Sequence, residues 1–253
     1  MSYTVITGAS SGIGYEAALA FAGRGKNIIA VARREDKLYE LKKEIESLHP
    51  DVEVVTMTAD LSVSEDVFSF YDRLKPYDIE TFINNAGFGN FDSVADQDLS
   101  KIQSMLRLNI EALTVLSTLY VRDYEKVAGT QLINVSSGGG YTIVEDAVTY
   151  CGTKFYVSAF TEGLAQELAS KGAAMKAKVL APAATETEFA QRSLDVNEFE
   201  YKGTVPQFHT AKEMAQFMLD LYDSEKVVGI VNGETYEFSL VDPIYLYAKR
   251  TTN

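Results

Sequence analysis

Hydrophobic and polar positions follow two different periods along the chain. Short apolar runs bounded by glycine or polar clusters alternate with longer stretches in which apolar residues return every three or four positions. The first kind reads as buried strands and the second as amphipathic helices. Strands are expected at Tyr3 to Thr7, Asn27 to Ala32, Val52 to Met57, Glu80 to Ile83, Gln131 to Val135 and Ala177 to Ala181, with a seventh at Val227 to Val231. Helices are expected from the glycines after Thr7 through Ala22, and over Asp36 to Ser47, Val63 to Leu74, Leu99 to Val127, Val148 to Ser170 and Ala211 to Tyr222. Strand and helix in regular alternation predict an α/β fold, a Rossmann-like doubly wound parallel sheet of about seven strands with helices on both faces. No proline-rich, low-complexity or repeated segment interrupts the 253 residues, so a single domain over 1–253 is expected.

In sheets of this kind ligands gather at the carboxyl ends of the strands. The polar clusters of this sequence fall there: Gly8 to Gly14 after the first strand, Arg33 and Arg34 after the second, Asp60 and Leu61 after the third, Asn84 to Gly87 after the fourth, Ser136 and Ser137 after the fifth, and Pro182 to Thr187 after the sixth. The first cluster reads Gly8-Ala9-Ser10-Ser11-Gly12-Ile13-Gly14 and opens a helix. Gly8 permits a tight turn, Gly12 lets backbone approach a pyrophosphate, Gly14 allows close helix packing, and the helix N-terminus offers unpaired N–H groups to an anion. A structural turn would explain such glycines equally well in isolation; their place behind the first strand favours nucleotide binding.

Composition narrows the partners. Thirty-six acidic against twenty-three basic residues give a formal charge of −13, which opposes docking on nucleic acid or anionic lipid and requires a local basic site for an anionic ligand. No basic patch followed by an apolar stretch stands at the N-terminus and no long apolar span occurs, so a cytoplasmic protein without membrane attachment is expected. Cys151 is the only cysteine, which excludes an internal disulfide and a multi-thiolate metal site; His49 and His209 have no metal-ligand spacing, and no metal is assigned.

The most chemically loaded segment is Tyr150-Cys151-Gly152-Thr153-Lys154. Four residues apart on a helix, Tyr150 and Lys154 project from one face and can meet at one reacting centre. A phenol can give a proton to a nascent alkoxide if its pKa, ordinarily near 10, is depressed, and a cation one turn away is expected to depress it. Cys151 reads as a small packing residue rather than a nucleophile.

Taken together, Thr7 to Gly14, Asn84-Asn85-Ala86-Gly87 and Tyr150-x-x-x-Lys154 resemble the short-chain dehydrogenase/reductase family from residue 3 to about residue 190. The resemblance implies a catalytic set of Asn109, Ser137, Tyr150 and Lys154, in which Tyr150 acts as acid or base, Ser137 donates to the oxyanion, Lys154 also holds the nicotinamide ribose and Asn109 fixes a water relayed to Lys154. It implies cofactor contacts from Gly8, Ser10, Ser11, Gly12, Ile13, Gly14, Asp60, Leu61, Asn85, Ala86, Gly87, Tyr150, Lys154, Pro182, Thr185 and Thr187. NAD-preferring relatives carry an acid at the end of the second strand; here Ala32 is followed by Arg33 and Arg34, whose guanidinium forks suit a 2′-phosphate, so NADP(H) is expected over NAD(H). The sequence departs from the family in reading Pro182-Ala183 rather than Pro-Gly, and in its C-terminal segment Gly233 to Asn253, expected to cap the sheet edge or form an interface.

The expected activity is an NADP(H)-dependent alcohol dehydrogenase or carbonyl reductase. Residues 186–211 would form the substrate-binding segment, and Phe88, Phe91, Tyr141, Ile143, Phe189 and Phe199 an apolar pocket for a small-molecule carbonyl or alcohol. A homodimer or homotetramer is expected from the apolar helices beginning at Leu99 and Val148. A non-catalytic nucleotide-sensing regulator and an isomerase or epimerase with tightly held cofactor are the alternatives.

Overall fold

Seven parallel strands and one antiparallel strand form the central sheet of the computed structural model, which describes residues 1–248. In chain order the elements are β1 (Ser2–Thr7), α1 (Gly12–Ala22), β2 (Asn27–Ala32), α2 (Glu35–Leu48), β3 (Val54–Thr58), α3 (Ser64–Leu74), β4 (Asp78–Asn84), α4 (Leu99–Leu106), α5 (Leu113–Tyr124), β5 (Gln131–Val135), α6 (Val148–Ser170), β6 (Lys176–Ala181), β7 (Thr185–Glu186), α7 (Phe189–Ser193), β8 (His209–Thr210), α8 (Ala211–Asp223), β9 (Val228–Val231) and β10 (Phe238–Val241). The sheet runs β10-β9-β6-β5-β4-β1-β2-β3, while β7 and β8 pair separately. Strand order reverses between β1 and β4, and that switch point opens the crevice in which ligands of such sheets sit.

The strands are nearly continuous in burial because helices cover both faces. One face is filled from α1, α2 and α8, with Phe21, Leu38, Leu41, Ile45, Met214 and Met218 at its centre. The other is filled from α3, α5 and α6, where Phe70, Phe82 and Tyr120 pack together. Among the described residues no helix is long and apolar enough to cross a membrane.

One departure from the sequence reading and one refinement of it bear on function. The long helix expected from Leu99 to Val127 is divided by a π turn at Arg107–Ala112, which contains Asn109. The C-terminal segment supplies β10, antiparallel to β9. Asn232 makes that reversal, its Oδ1 accepting the backbone N–H groups of Glu234 and Thr235 at 2.8 and 3.0 Å. Sheet-edge capping is therefore the role of residues 238–241, and Lys249 to Asn253 lie outside the described residues.

Candidate active site

Thr7, at the end of β1, ties the glycine turn to the Asn-Asn-Ala-Gly segment. Its hydroxyl oxygen accepts the N–H groups of Asn85 and Ala86, both at 3.0 Å, and Asn85 Nδ2 returns a bond to the Thr7 carbonyl at 3.0 Å. Beneath, a buried relay joins four elements, β4, α5, β5 and α6: Asn84 donates to Ser117 and Asn134, and Asn134 donates to Thr161. These amides fix β4, α5, β5 and α6 relative to one another beneath the ends of the strands.

The glycine turn has the form an anion requires. Gly8 and Gly12 have φ of 70° and 58°, the left-handed region where side chains are strained. A Cβ on Gly14 would lie 2.4 Å from Asn85 Nδ2, and one on Gly12 would lie 2.9 Å from Thr187 Cγ2, so both positions must stay bare. Helix α1 begins at Gly12 with no side-chain cap and no acid in its first turn, leaving its N-terminal N–H groups and positive dipole available to a pyrophosphate. Ile13 is partly buried against the core behind the turn.

Tyr150 and Lys154 lie on α6 and are 8% and 6% exposed. Lys154 Nζ donates to the Val135 carbonyl at 2.9 Å and stands 5.8 Å from the Tyr150 ring centroid. An ammonium has three N–H groups, and this bond uses one, so Lys154 can still hold ribose hydroxyls. Burial pulls the Lys154 pKa down to about 8. Burial also pushes the Tyr150 phenol well above its ordinary value, partly offset by a hydrogen bond from Ser137. The depression of the Tyr150 pKa expected from the sequence is thus reversed, because desolvation by burial outweighs the hydrogen bond from Ser137.

Ser137 follows β5, and its Oγ accepts the Gly139 N–H at 3.0 Å, which leaves its own proton free to donate. A Cβ on Gly139 would fall 3.5 Å from Ser137 Oγ, 3.7 Å from Tyr150 Cε1 and 3.2 Å from Cys151 Sγ, so a bare Gly139 keeps these groups together. Asn109 is buried in the π turn, where its Nδ2 donates to the Phe88 carbonyl and Thr153 hydroxyl at 2.9 and 3.1 Å, and its Oδ1 accepts the Phe88 N–H at 3.2 Å. Its side chain clamps the Phe88 peptide to α6 beside Lys154.

Around Tyr150 gather Phe91 and Phe189, at centroid distances of 6.4 and 5.5 Å, with Phe88 packed on the same cluster. The other residues expected to line the pocket are engaged elsewhere. Tyr141 stacks on Tyr245 and donates to Glu162 at 2.6 Å, Phe199 packs on Tyr201, and Ile143 is exposed.

At the opposite end of the crevice Arg33 is 61% exposed and 3.8 Å from the Asp60 carboxylate. Asp60 also accepts the Ser62 N–H and hydroxyl, while Leu61 is buried. Arg34 donates to Ser10 Oγ at 3.2 Å and forms a fork with Glu188, at 2.9 and 3.3 Å. Ser11 is the uncapped residue before α1. Pro182 accepts the Gly138 N–H at 2.7 Å, Thr185 donates to Ala183, and the Thr187 oxygen accepts the Phe189 N–H at 3.2 Å. These bonds shape the segment after β6 into a wall over the glycine turn. Thr7 and Thr153 lie within the motifs read from the sequence but receive no role of their own there, and Glu162, Glu188 and Arg192 are not singled out; these three act through partners that no local pattern marks.

A short chain dehydrogenase family model matches residues 2–198. The human protein dehydrogenase/reductase SDR family member 11 is 29% identical over 214 residues, covering 82% of this chain and 82% of that protein. Among solved structures, a short-chain dehydrogenase from Sphingobium yanoikuyae in complex with NADPH superposes with a TM-score of 0.82 at 29% identity, covering 91% of this chain and 87% of that one. A bulky-bulky ketone specific alcohol dehydrogenase from Comamonas testosteroni gives 0.79 at 27%, covering 91% and 86%. With its switch-point crevice, glycine turn and buried tyrosine–lysine pair, the chain belongs to the short-chain dehydrogenase family and is an oxidoreductase of that family.

Proposed function

We propose that the protein is an NADP(H)-dependent oxidoreductase that interconverts an apolar alcohol and its ketone or aldehyde. The observation that carries this reading is the buried Tyr150, flanked by Ser137 and Lys154 and faced by Phe91 and Phe189 at the mouth of the crevice. A nicotinamide cofactor, when bound along the glycine turn, would supply or accept the hydride. Tyr150 gives a proton to the substrate oxygen in reduction and takes it back in oxidation. Ser137 donates to the same oxygen as negative charge builds there, and the surrounding phenyl rings exclude water, which strengthens both bonds. Lys154 orients the ribose with the N–H groups not used by Val135 and adds a positive field near Tyr150.

Arg33, Arg34 and Ser10 support a 2′-phosphate at the end of β2. The Sphingobium relative, solved in complex with NADPH, and the Comamonas ketone-specific alcohol dehydrogenase support the cofactor class and the carbonyl chemistry. Aryl and branched alkyl ketones and aldehydes, screened by NADPH absorbance with NADH in parallel, test the reading. Steady oxidation of NADPH by apolar carbonyls is expected. Cofactor that binds but is consumed with no member of the panel, in either direction, would sink the oxidoreductase reading and favour a sensor or isomerase.

A further inference from the structure

Glu188 precedes α7, in the segment expected to cover the substrate, yet its carboxylate reaches the cofactor end of the crevice. Oε1 and Oε2 meet the two terminal nitrogens of Arg34 at 3.3 and 2.9 Å, a bidentate fork across 154 residues. Arg192, one turn later, donates to the same Oε2 at 2.5 Å. The remaining Arg34 donor, Nε, lies 3.4 Å from Ser10 Oγ. Arg34 therefore has every nitrogen committed before any ligand arrives, and the group holding its fork is an anion of the same planar geometry as one face of a phosphate. Arg33 stands close by, with only the loose contact to Asp60. Three guanidiniums thus face two carboxylates on a chain that is strongly acidic overall. Desolvation opposes ionisation of Glu188, but the Arg34 hydrogen bond and the charges of Arg34 and Arg192 outweigh it and hold the carboxyl below its ordinary range.

We infer that Glu188 is an internal occupant of the anion site: it holds Arg34 and Arg192 in the free protein and yields them to the 2′-phosphate of the cofactor, so that it sets the discrimination between phosphorylated and unphosphorylated cofactors. This rests on the reading that the end of β2 receives a 2′-phosphate. A phosphate monoester carries close to two charges and three acceptor oxygens, more than the single carboxylate it displaces, so the exchange runs toward the ligand. A cofactor without the phosphate leaves the fork intact. Arg192 becomes a second ligand for the phosphate.

The test uses the half-cofactors 2′,5′-ADP and 5′-AMP, titrated calorimetrically into the full chain, its Glu188→Gln variant and its Arg192→Met variant, with circular dichroism to confirm folding. Glu188 is partly exposed, so its pair with Arg34 is of modest strength. Removing its charge is expected to tighten 2′,5′-ADP roughly three- to fivefold and to leave 5′-AMP within twofold. Arg192→Met is expected to weaken 2′,5′-ADP alone. If the wild type prefers 2′,5′-ADP but Glu188→Gln leaves that preference unchanged or lowers it, the inference falls and the phosphate reading stands. If the wild type binds both probes equally, the phosphate reading falls and takes the inference with it.

Discussion

The Tyr245 hydroxyl donates to the Gly140 carbonyl at 2.6 Å, joining the C-terminal segment to the turn that carries Ser137. The contact is braced from below by Glu162, buried on α6, whose carboxylate accepts the N–H groups of Ile244 and Tyr245 and the Tyr141 hydroxyl. Tyr141 in turn stacks on Tyr245 at 5.5 Å. The last part of the chain is thereby a strap over the back of the Ser137 turn. Tyr245→Phe keeps the stacking and removes the bond. A loss of about 1 kcal/mol is expected, lowering Tm by roughly 2–4 °C. Turnover should fall more than cofactor affinity does, because Ser137 is displaced while the glycine turn is untouched. Melting and kinetics on the same preparation check both; unchanged kcat with lowered Tm would make the strap structural only.

Tyr150→Phe removes the proton donor and little else. Its ring still packs on Phe91 and Phe189, so the fold and the crevice survive. Turnover is expected to drop by roughly a hundred- to ten-thousandfold, the usual range for losing a general acid. NADPH affinity, followed by fluorescence, should change little. Retained turnover would remove Tyr150 from the chemistry.

The buried cation has a consequence for stability against pH. Lys154 titrates at about 8 in the folded chain, pulled down by burial from an ordinary 10.5. Between those values the unfolded chain holds a proton that the folded chain has released, so the folded state gains stability as pH rises through the window; below about 8 the whole cost of burying the charge is present. Lys178 shifts in the same direction for the same first cause and contributes the same sign. A comparison with Lys154→Met cancels it. The difference in Tm, wild type minus variant, should become more positive between pH 7 and pH 10. A flat difference would show that Lys154 stays charged and well partnered throughout.

Parallel strands and their helices were legible because each lies within one stretch of sequence: β2, β5 and α6 begin and end where the hydrophobic pattern changes. Tyr150 and Lys154 were legible for the same reason, being one helical turn apart. The π turn was not, since one extra residue per turn leaves the apolar spacing of Leu99 to Tyr124 almost unaltered. The β9–β10 hairpin had a local signal, Asn232-Gly233 between two β-prone runs, that the alternation of strand and helix obscured. Glu188 and Glu162 had none. Their partners are 154 and 82 residues away, and a charge in a sequence does not state what it will face.

Self-association is expected through α5 and α6. Tyr156 and Phe160 stack at 5.9 Å on α6, Tyr156 is partly exposed, and its hydroxyl lies 2.8 Å from that of Thr114 on α5. Val148 at the start of α6 and Leu106 at the end of α4 add exposed apolar surface. A twofold pairing of these helices would give a homodimer, or a homotetramer with a second interface. Sedimentation of the 27.9 kDa chain at micromolar concentration checks this. Tyr156→Glu, which places charge in the patch, should shift the population toward monomer; a monomeric wild type would overturn the expectation.

The end of β2 provides the residue-level test of cofactor choice. Arg33 is mostly exposed and only loosely held by Asp60, so a 2′-phosphate can recruit it without breaking a good bond. Arg34 is already forked to Glu188 and bonded to Ser10, so its contribution is reduced by what it must give up. Arg33→Ala is therefore expected to weaken NADPH by about 1.5 kcal/mol, roughly tenfold, the lower end for a charge-assisted bond. Arg34→Ala alone should cost less, and the double variant more than either. NADH should barely respond to any of them. Both cofactors are to be titrated at fixed ionic strength, because attraction to an exposed guanidinium is screened by salt; the Arg33 effect should shrink as salt is raised. Equal weakening of NADPH and NADH would mean that Arg33 serves the adenine or the turn rather than the phosphate, and a wild type that prefers NADH would assign this site to the unphosphorylated cofactor.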